Sequence, residues 1–100
     1  MSALFLLSWT VQVSATDYEV DQDDVNFSPE SLTIKNGDVV HFRNSATMNH
    51  NVSVIDADGG ADDLGIEKPG AVFARKFDKT GDYKVRCTVH PKMKMTITVQ

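Results

Sequence analysis

The last eight residues of the chain alternate strictly between apolar and polar side chains. The apolar positions are Met93, Met95, Ile97 and Val99, and lysine, threonine and glutamine fill the positions between and after them. Successive side chains of a β-strand point to opposite faces of a sheet, so this pattern predicts a strand with one buried face. No window of useful length shows the 3.6-residue apolar repeat of an amphipathic helix. We therefore expect the chain to fold from strands.

Other short apolar alternations recur along the chain between residues that favour turns. We predict further strands at Tyr18–Val20, Leu32–Ile34, Val39–Phe42, Val52–Val54, Val72–Phe77 and Asp82–Cys87. Asn36-Gly37 is a strong turn signal, and the Asp- and Gly-rich segment Asp56–Gly70 predicts a long surface loop. Seven to eight short strands in 100 residues predict one all-β domain, a Greek-key β-sandwich, with a small barrel as the alternative.

The N-terminal segment has the features of an export signal. Ala3 to Leu7 is continuously apolar, and Val13 and Ala15 give the small-x-small pattern of a cleavage site. The run is too short to span a bilayer, and no Lys or Arg precedes it, which suggests a truncated start. We predict a signal peptide over 1–15, a mature domain over 16–100 and a periplasmic or otherwise extracytoplasmic location. A buried first strand is the alternative.

Cys87 is the only cysteine in the sequence. Exported proteins usually pair their cysteines in disulfides, so an unpaired one requires another role. Metal ligation is such a role, and the alternative is a buried structural cysteine.

The segment Cys87-Thr88-Val89-His90-Pro91-Lys92-Met93 carries a thiolate, an imidazole and a thioether on one short loop. Soft sulfur ligands combined with imidazole select copper over hard cations. Two His, one Cys and a weak axial Met form the ligand set of blue copper electron-transfer sites. His50, in Met48-Asn49-His50-Asn51-Val52, supplies the second imidazole. We predict one copper ion bound by His50, Cys87, His90 and Met93, and we expect His41 not to be a ligand.

These motifs, in this order, resemble the cupredoxins, and most closely the short-loop amicyanin- and plastocyanin-like members. The resemblance covers about residues 27–100 and includes the segment Leu32–Val40, the His50 motif and the sequence Gly81-x-Tyr83-x-x-x-Cys87. It implies a carrier of single electrons that cycles between Cu(I) and Cu(II), and not an enzyme. It also implies that His90 is partly exposed as the electron port and that Asn51 hydrogen-bonds to the loop of Cys87.

The axial ligand has two candidates in the sequence. Met93 fits the shorter C-x-x-H-x-x-M spacing, and Met95 fits the longer spacing of plastocyanin-like loops. The resemblance favours Met93, because the final strand then has the family's length. Tyr83 is expected to form the buried corner hydrogen bond of Greek-key sandwiches.

Three positions depart from the family pattern. Asn49 and Val89 stand where prolines are common, and Lys92 stands where short-loop relatives tend to carry an apolar residue. Because the family's docking surface is an apolar patch around the exposed His, Lys92 places a positive charge within it. The identity of the partner therefore does not follow from the resemblance.

Charge is distributed unevenly along the chain. The formal net charge is −4, but Thr16–Glu67 is strongly acidic and Lys68–Gln100 is basic. Ordinary solvated surfaces are one interpretation, and a dipolar protein that is oriented as it meets a charged partner is the other. We expect a monomer with redox proteins as partners, no nucleic-acid binding and no stable membrane insertion. A copper-binding or copper-delivery protein on the same fold is the alternative, and a metal-free interaction module is a third reading.

Overall fold

A computed structural model describes residues 15–100, in which nine strands form two sheets. The strands are β1 Asp17–Asp23, β2 Asn26–Ser28, β3 Ser31–Ile34, β4 Val39–Asn44, β5 His50–Ile55, β6 Ala61–Glu67, β7 Val72–Lys76, β8 Gly81–Arg86 and β9 Lys94–Val99. One sheet has the order β2-β1-β4-β7, and the other has the order β3-β9-β8-β5-β6. The predicted all-β sandwich is confirmed, with nine strands in these residues instead of seven to eight. The predicted signal peptide lies outside the described residues, apart from Ala15.

The core lies between the two sheets and is filled by the alternate residues that the sequence pattern indicated. Val20 and Phe42 come from the first sheet, and Val85 and Ile97 come from the second; all four are fully buried. Phe77, in the turn before β8, is also fully buried. Burial of a large apolar side chain stabilises a fold by about 1.5–3 kcal/mol, so this cluster is the main source of stability.

The prediction of a loop over Asp56–Gly70 is wrong. Its middle part forms β6, an edge strand that pairs antiparallel with β5. The pairing contains a register shift between Asn51 and Ser53 of β5. The sequence of β6, Ala-Asp-Asp-Leu-Gly-Ile-Glu, lacks the apolar alternation of a half-buried strand. Charged residues and irregularity are typical of edge strands, whose pairing is set by the neighbouring strand.

The predicted corner hydrogen bond of Tyr83 is present. The phenolic hydroxyl donates to the carbonyl oxygen of Lys79 at 2.7 Å, across the turn that leads into β8. The ring packs edge-to-face on Phe77 with 5.1 Å between centroids. The turn before the cysteine strand is thereby fixed to the core.

Two connections of the fold open at the same end of the sandwich. β5 and β8 are antiparallel neighbours, with Ser53 opposite Arg86, so the start of β5 lies beside the end of β8. β9 runs antiparallel to β8, and its start lies at the same end. The β4–β5 loop and the β8–β9 loop therefore meet. Among the described residues, no helix has the length and apolarity needed to cross a membrane.

Candidate metal centre

The two converging loops bring together three of the four predicted ligands. His50 is the first residue of β5, Cys87 directly follows β8, and His90 lies at the middle of the β8–β9 loop. Three atoms form one group of possible metal donors: His50 Nδ1, Cys87 Sγ and His90 Nδ1. His50 and Cys87 are buried, whereas His90 is half-buried.

The distances between the three donor atoms fit a single metal ion. Cys87 Sγ lies 3.8 Å from His50 Nδ1 and 3.9 Å from His90 Nδ1, and the two nitrogens are 3.2 Å apart. A point equidistant from three atoms with these separations lies about 2.1 Å from each. Bonds from protein nitrogen and sulfur to a first-row metal such as zinc are about 2.0–2.3 Å long. A trigonal arrangement of two His and one Cys is that of blue copper sites.

Met93 closes the loop that carries Cys87 and His90. Its backbone N–H donates to the carbonyl oxygen of His90 at 2.9 Å, and its own carbonyl oxygen accepts from the N–H of Cys87 at 3.3 Å. The side chain is buried, at 1% exposure. Met95 is also buried but lies on β9 opposite Val85, one step further from the loop. The thioether nearer to the loop is therefore that of Met93.

Burial of the His50 imidazole favours its neutral form, which is the form that binds a metal. Burial lowers its pKa, the backbone of Asp24 opposes this effect, and the like charge of His90 acts in the same direction as burial. A metal binds the neutral imidazole, so a lowered pKa favours ligation near neutral pH. The Nε2 atom of His50 has no hydrogen-bond partner of good geometry among the described residues.

The sulfur of Cys87 accepts a hydrogen bond from the backbone N–H of Asn51 at 3.3 Å. This bond fixes the position of the sulfur. It also links the cysteine loop to the start of β5, where His50 lies. Contacts of this kind around metal ligands fix their orientation.

The side chain of Asn51 ties the two loops together, as the sequence predicted. Its Oδ1 accepts from the backbone N–H of Thr88 at 3.1 Å and from the Thr88 hydroxyl at 2.9 Å. Its Nδ2 donates to Asp63 Oδ1 at 2.7 Å and to the carbonyl oxygen of Gly65 at 3.2 Å. The contribution of β6 is not predictable from the sequence, because this segment lacks the apolar alternation of a strand.

Asn44 is a supporting residue that the sequence interpretation missed. It is fully buried, and its Nδ2 donates to the carbonyl oxygens of Met48 at 2.9 Å and Glu67 at 2.8 Å. Its Oδ1 accepts from the N–H of Ala46 at 2.9 Å. These bonds shape the loop that precedes His50. A signal was available, since Asn44 continues the inward-facing positions of Val40 and Phe42.

A second missed feature is a buried polar pair behind His50. Gln22 and Glu67 are both fully buried, and Gln22 Nε2 donates to Glu67 Oε1 at 2.5 Å. Glu67 is the cross-strand partner of His50. Burial raises the pKa of Glu67 to about 7, against the lowering effects of the Gln22 amide and the backbone of Phe73. Gln22 Oε1 and Glu67 Oε2 have no partner among the described residues.

His41 lies outside the donor cluster. Its Nε2 is 3.2 Å from Asp17 Oδ1 on the exposed side of the first sheet. The prediction that it takes no part in the site agrees with this placement.

Residues 14–100 match the family described as copper binding proteins, plastocyanin/azurin family. The chain belongs to this family. It is 29% identical over 97 residues to the methylamine utilization protein MauL of Methylorubrum extorquens, which covers 97% of this chain and 85% of that protein. It is 38% identical over 91 residues to plastocyanin of Scenedesmus fuscus, which covers 80% of this chain and 92% of that protein.

Solved structures of the family superpose closely on this cupredoxin. A purple cupredoxin from Nitrosopumilus maritimus aligns with a TM-score of 0.74 at 26% identity, covering 83% of this chain and 99% of that one. A reduced mutant form of amicyanin aligns with a TM-score of 0.78 at 26% identity, covering 89% and 87% of the two chains. The predicted family and fold are confirmed.

Family membership establishes the general chemistry of the protein. Like plastocyanin and amicyanin, it is a copper-binding electron-transfer protein. It is not an enzyme. The predicted cofactor, one copper ion, agrees with the donor set that the fold assembles.

Proposed function

We propose that this protein carries single electrons between redox proteins outside the cytoplasm, with one copper ion held by His50, Cys87, His90 and Met93. The observation that carries the proposal is the triangle of Nδ1, Sγ and Nδ1 atoms, whose size fits one first-row metal ion. A copper ion bound there supplies a one-electron couple between Cu(II) and Cu(I). Cys87 and the two imidazoles would be the strong ligands, and Met93 would be the weak fourth ligand.

Rigid support of the donors favours an electron carrier over a copper-delivery protein. His50 and Cys87 are each anchored at the end of a strand, and Asn51 joins the two loops through its backbone and its side chain. A site that changes little between oxidation states keeps the reorganisation energy small. A delivery protein would need donors that exchange metal readily, whereas His50, Cys87 and Met93 are all buried.

His90 is the proposed route by which electrons enter and leave. It is the one member of the proposed ligand set that is not fully buried. Its neighbour Val89 is 47% exposed, so a partner protein that covers the loop can contact both residues. The electron then passes through the imidazole with no need for the buried ligands to move.

The proposed domain begins at Thr16, after a signal peptide over 1–15 that is removed on export to the periplasm or an equivalent compartment. The backbone nitrogen of Thr16 donates to the buried carboxylate of Asp38 at 2.9 Å. Cleavage before Thr16 would convert this nitrogen into an ammonium group beside a carboxylate, a favourable ion pair. The mature protein is proposed to be a monomer without nucleic-acid or stable membrane association.

Visible spectroscopy and voltammetry test the proposed ligands. The Cu(II)-loaded protein should show an intense thiolate-to-copper absorption and a reversible one-electron wave, and Cys87→Ser should lose both while the fold is retained. A colourless Cu(II) protein would contradict the proposal. Rapid loss of copper to a weak chelator, with no reversible wave, would instead favour copper delivery.

The axial role is tested by two matched substitutions. Met93→Gln should lower the reduction potential while copper stays bound, because the weak axial ligand tunes the potential. Met95→Gln should mainly reduce stability, since it buries a polar amide in the core. The reverse pattern would assign the axial role to Met95.

A further inference from the structure

A group of cations lies on the outer face of the second sheet, beside the metal loop. Lys84 and Arg86 on β8 and Lys94 on β9 are exposed and face away from the core, because the alternate residues of both strands are buried. The register places Arg86 directly opposite Lys94 and Lys84 opposite Thr96. With Lys92, which is also exposed, these residues form what we call the basic patch.

Within the described part of the chain, no acidic side chain forms an ion pair with the basic patch, although Asp56 and Asp82 line a groove beside Lys84 and Arg86. None of its four cations has a carboxylate within 4 Å in residues 15–100; the ion pairs there involve His41, Arg43, Arg75 and Lys79. Glu30 lines the same shallow groove as three of the cations without pairing with them. Like charges directly opposite each other destabilise a sheet. Positions that oppose stability without local compensation are commonly functional.

The basic patch adjoins the proposed electron port. Arg86 immediately precedes Cys87, and Lys94 immediately follows Met93, so the opposed pair closes the base of the metal loop. Lys92 lies on the loop itself. A partner that covers the loop therefore also meets the field of the patch.

Acidic residues lie on the other side of the metal end. Asp23 and Asp24 line a groove with the β4–β5 loop, at the end of the first sheet. The metal end thus carries the basic patch on β8 and β9 of the second sheet, and acidic residues at the first sheet and at Asp63 on the edge strand β6, although the net charge of the protein is −4. Such a distribution orients a protein as it approaches a charged partner, even when the net charge has the opposite sign.

We propose that the basic patch is the docking surface for a redox partner whose own electron port is surrounded by carboxylates. The proposal rests on the proposed electron-transfer function and specifies the partner's chemistry. Exposed charges at the rim of an interface act mainly on the rate of encounter and on orientation. Their reach is about 8 Å at physiological salt. The exposed side chain of Val89 supplies an apolar contact beside them.

The test uses the copper-loaded full chain on gold electrodes that carry carboxylate- or amine-terminated monolayers. The carboxylate monolayer serves as the acidic partner surface. Adsorption and the rate of electron exchange should both be greater on carboxylate, by about tenfold at low salt, and the preference should decrease as salt is added. Equal behaviour on the two surfaces would overturn the proposal.

Charge-reversal variants distinguish the effect of the basic patch from the effect of the net charge of the protein. Lys84→Glu should remove most of the preference for the carboxylate surface. Lys94→Glu, a second variant in the basic patch, should act in the same direction. Lys76→Glu is the matched control, since Lys76 is exposed on β7 opposite Val39, at the other end of the sandwich. It makes the same change in net charge and should keep the preference. If Lys76→Glu and Lys84→Glu act equally, the proposal is wrong.

Two further readouts separate this proposal from others. The thiolate–copper absorption of Lys84→Glu should be unchanged, which shows that its effect is on docking. If the wild-type protein gives no wave on either surface, the proposed function fails, and adsorption alone still decides whether the patch recognises carboxylates. Adsorption that depends on Lys84 with phosphatidylglycerol vesicles, but not with the carboxylate monolayer, would indicate a lipid surface and overturn the proposal.

Discussion

The two polar networks that support the metal centre differ in how completely their hydrogen bonds are formed. On the cysteine side, both polar atoms of the Asn51 amide have partners, and the network reaches the surface at Asp63 and Thr88. Behind His50, the buried pair of Gln22 and Glu67 leaves one oxygen on each side chain without a partner in the described residues. A satisfied network positions ligands, whereas a partly satisfied buried one lowers stability.

This difference predicts that the two networks respond in opposite directions to substitution. Truncating the Asn51 side chain should destabilise the protein, because it removes hydrogen bonds that are fully formed. Neutralising Glu67 should stabilise the protein near neutral pH, because the buried carboxylate has one hydrogen-bond partner of good geometry, and burial outweighs the lowering effects on its pKa. Substitutions in both networks test this difference.

Asn51→Ala should have the largest effect. It removes four side-chain hydrogen bonds, each with a net contribution of about 1 kcal/mol, so the free energy of unfolding should fall by about 4 kcal/mol. Urea denaturation of the metal-free protein measures this. Asn51→Asp is the control, since it keeps an acceptor for Thr88 and loses the two donated bonds. A loss below about 1 kcal/mol for the alanine variant would show that the loops are held by other contacts.

The pH dependence of the free energy of unfolding should reveal the raised pKa of Glu67. Its pKa is raised from 4.5 to about 7 in the folded state, so the folded protein retains a proton that the unfolded chain has released. The contribution of Glu67 to stability is therefore complete below about pH 4.5 and is lost as the pH rises through about 7. The full change is up to about 3 kcal/mol.

Glu67→Gln should remove this pH dependence. The lowered pKa of His50 acts in the opposite sense, since its contribution is lost as the pH falls, but it is present in both proteins. The difference between wild type and Glu67→Gln, measured by urea denaturation of metal-free protein from pH 4.5 to 8, therefore isolates Glu67. A difference that stays constant with pH would mean that Glu67 titrates normally.

Gln22→Leu should have a smaller effect, of about 1–2 kcal/mol at pH 8. The amide of Gln22 lowers the pKa of Glu67, so its removal should move the midpoint of the pH-dependent step upward. In the Glu67→Gln background the same substitution should cost less, because no buried carboxylate is left without a donor. Equal costs in the two backgrounds would show that the two side chains are not coupled.

Thr88→Val should have the smallest effect. It removes the hydroxyl bond to Asn51 Oδ1 and leaves the backbone N–H bond from the same residue intact. The expected loss is about 1 kcal/mol or less, with the visible spectrum of the copper form unchanged. A spectral shift would show that this hydroxyl sets the position of the cysteine loop.

The sequence alone determined the strands with a clear two-residue period and the local part of the site. The β9 alternation and the loop from Cys87 to Met93 are short-range patterns, and the structure places these residues as those patterns predicted. The convergence of His50 on the same loop was also predictable, through the family motifs that the chain carries. What these features share is that local spacing or a recognisable motif encodes them.

Tertiary structure alone decided the features that depend on pairing between distant segments. β6 forms because β5 offers it an edge, although its own sequence lacks the alternation of a strand. The pair of Gln22 and Glu67 joins residues 45 positions apart, and the opposition of Arg86 and Lys94 follows from the register of β8 and β9. Register and sheet order are set by the summed packing of the whole core, so no local pattern specifies which polar residues they bring together.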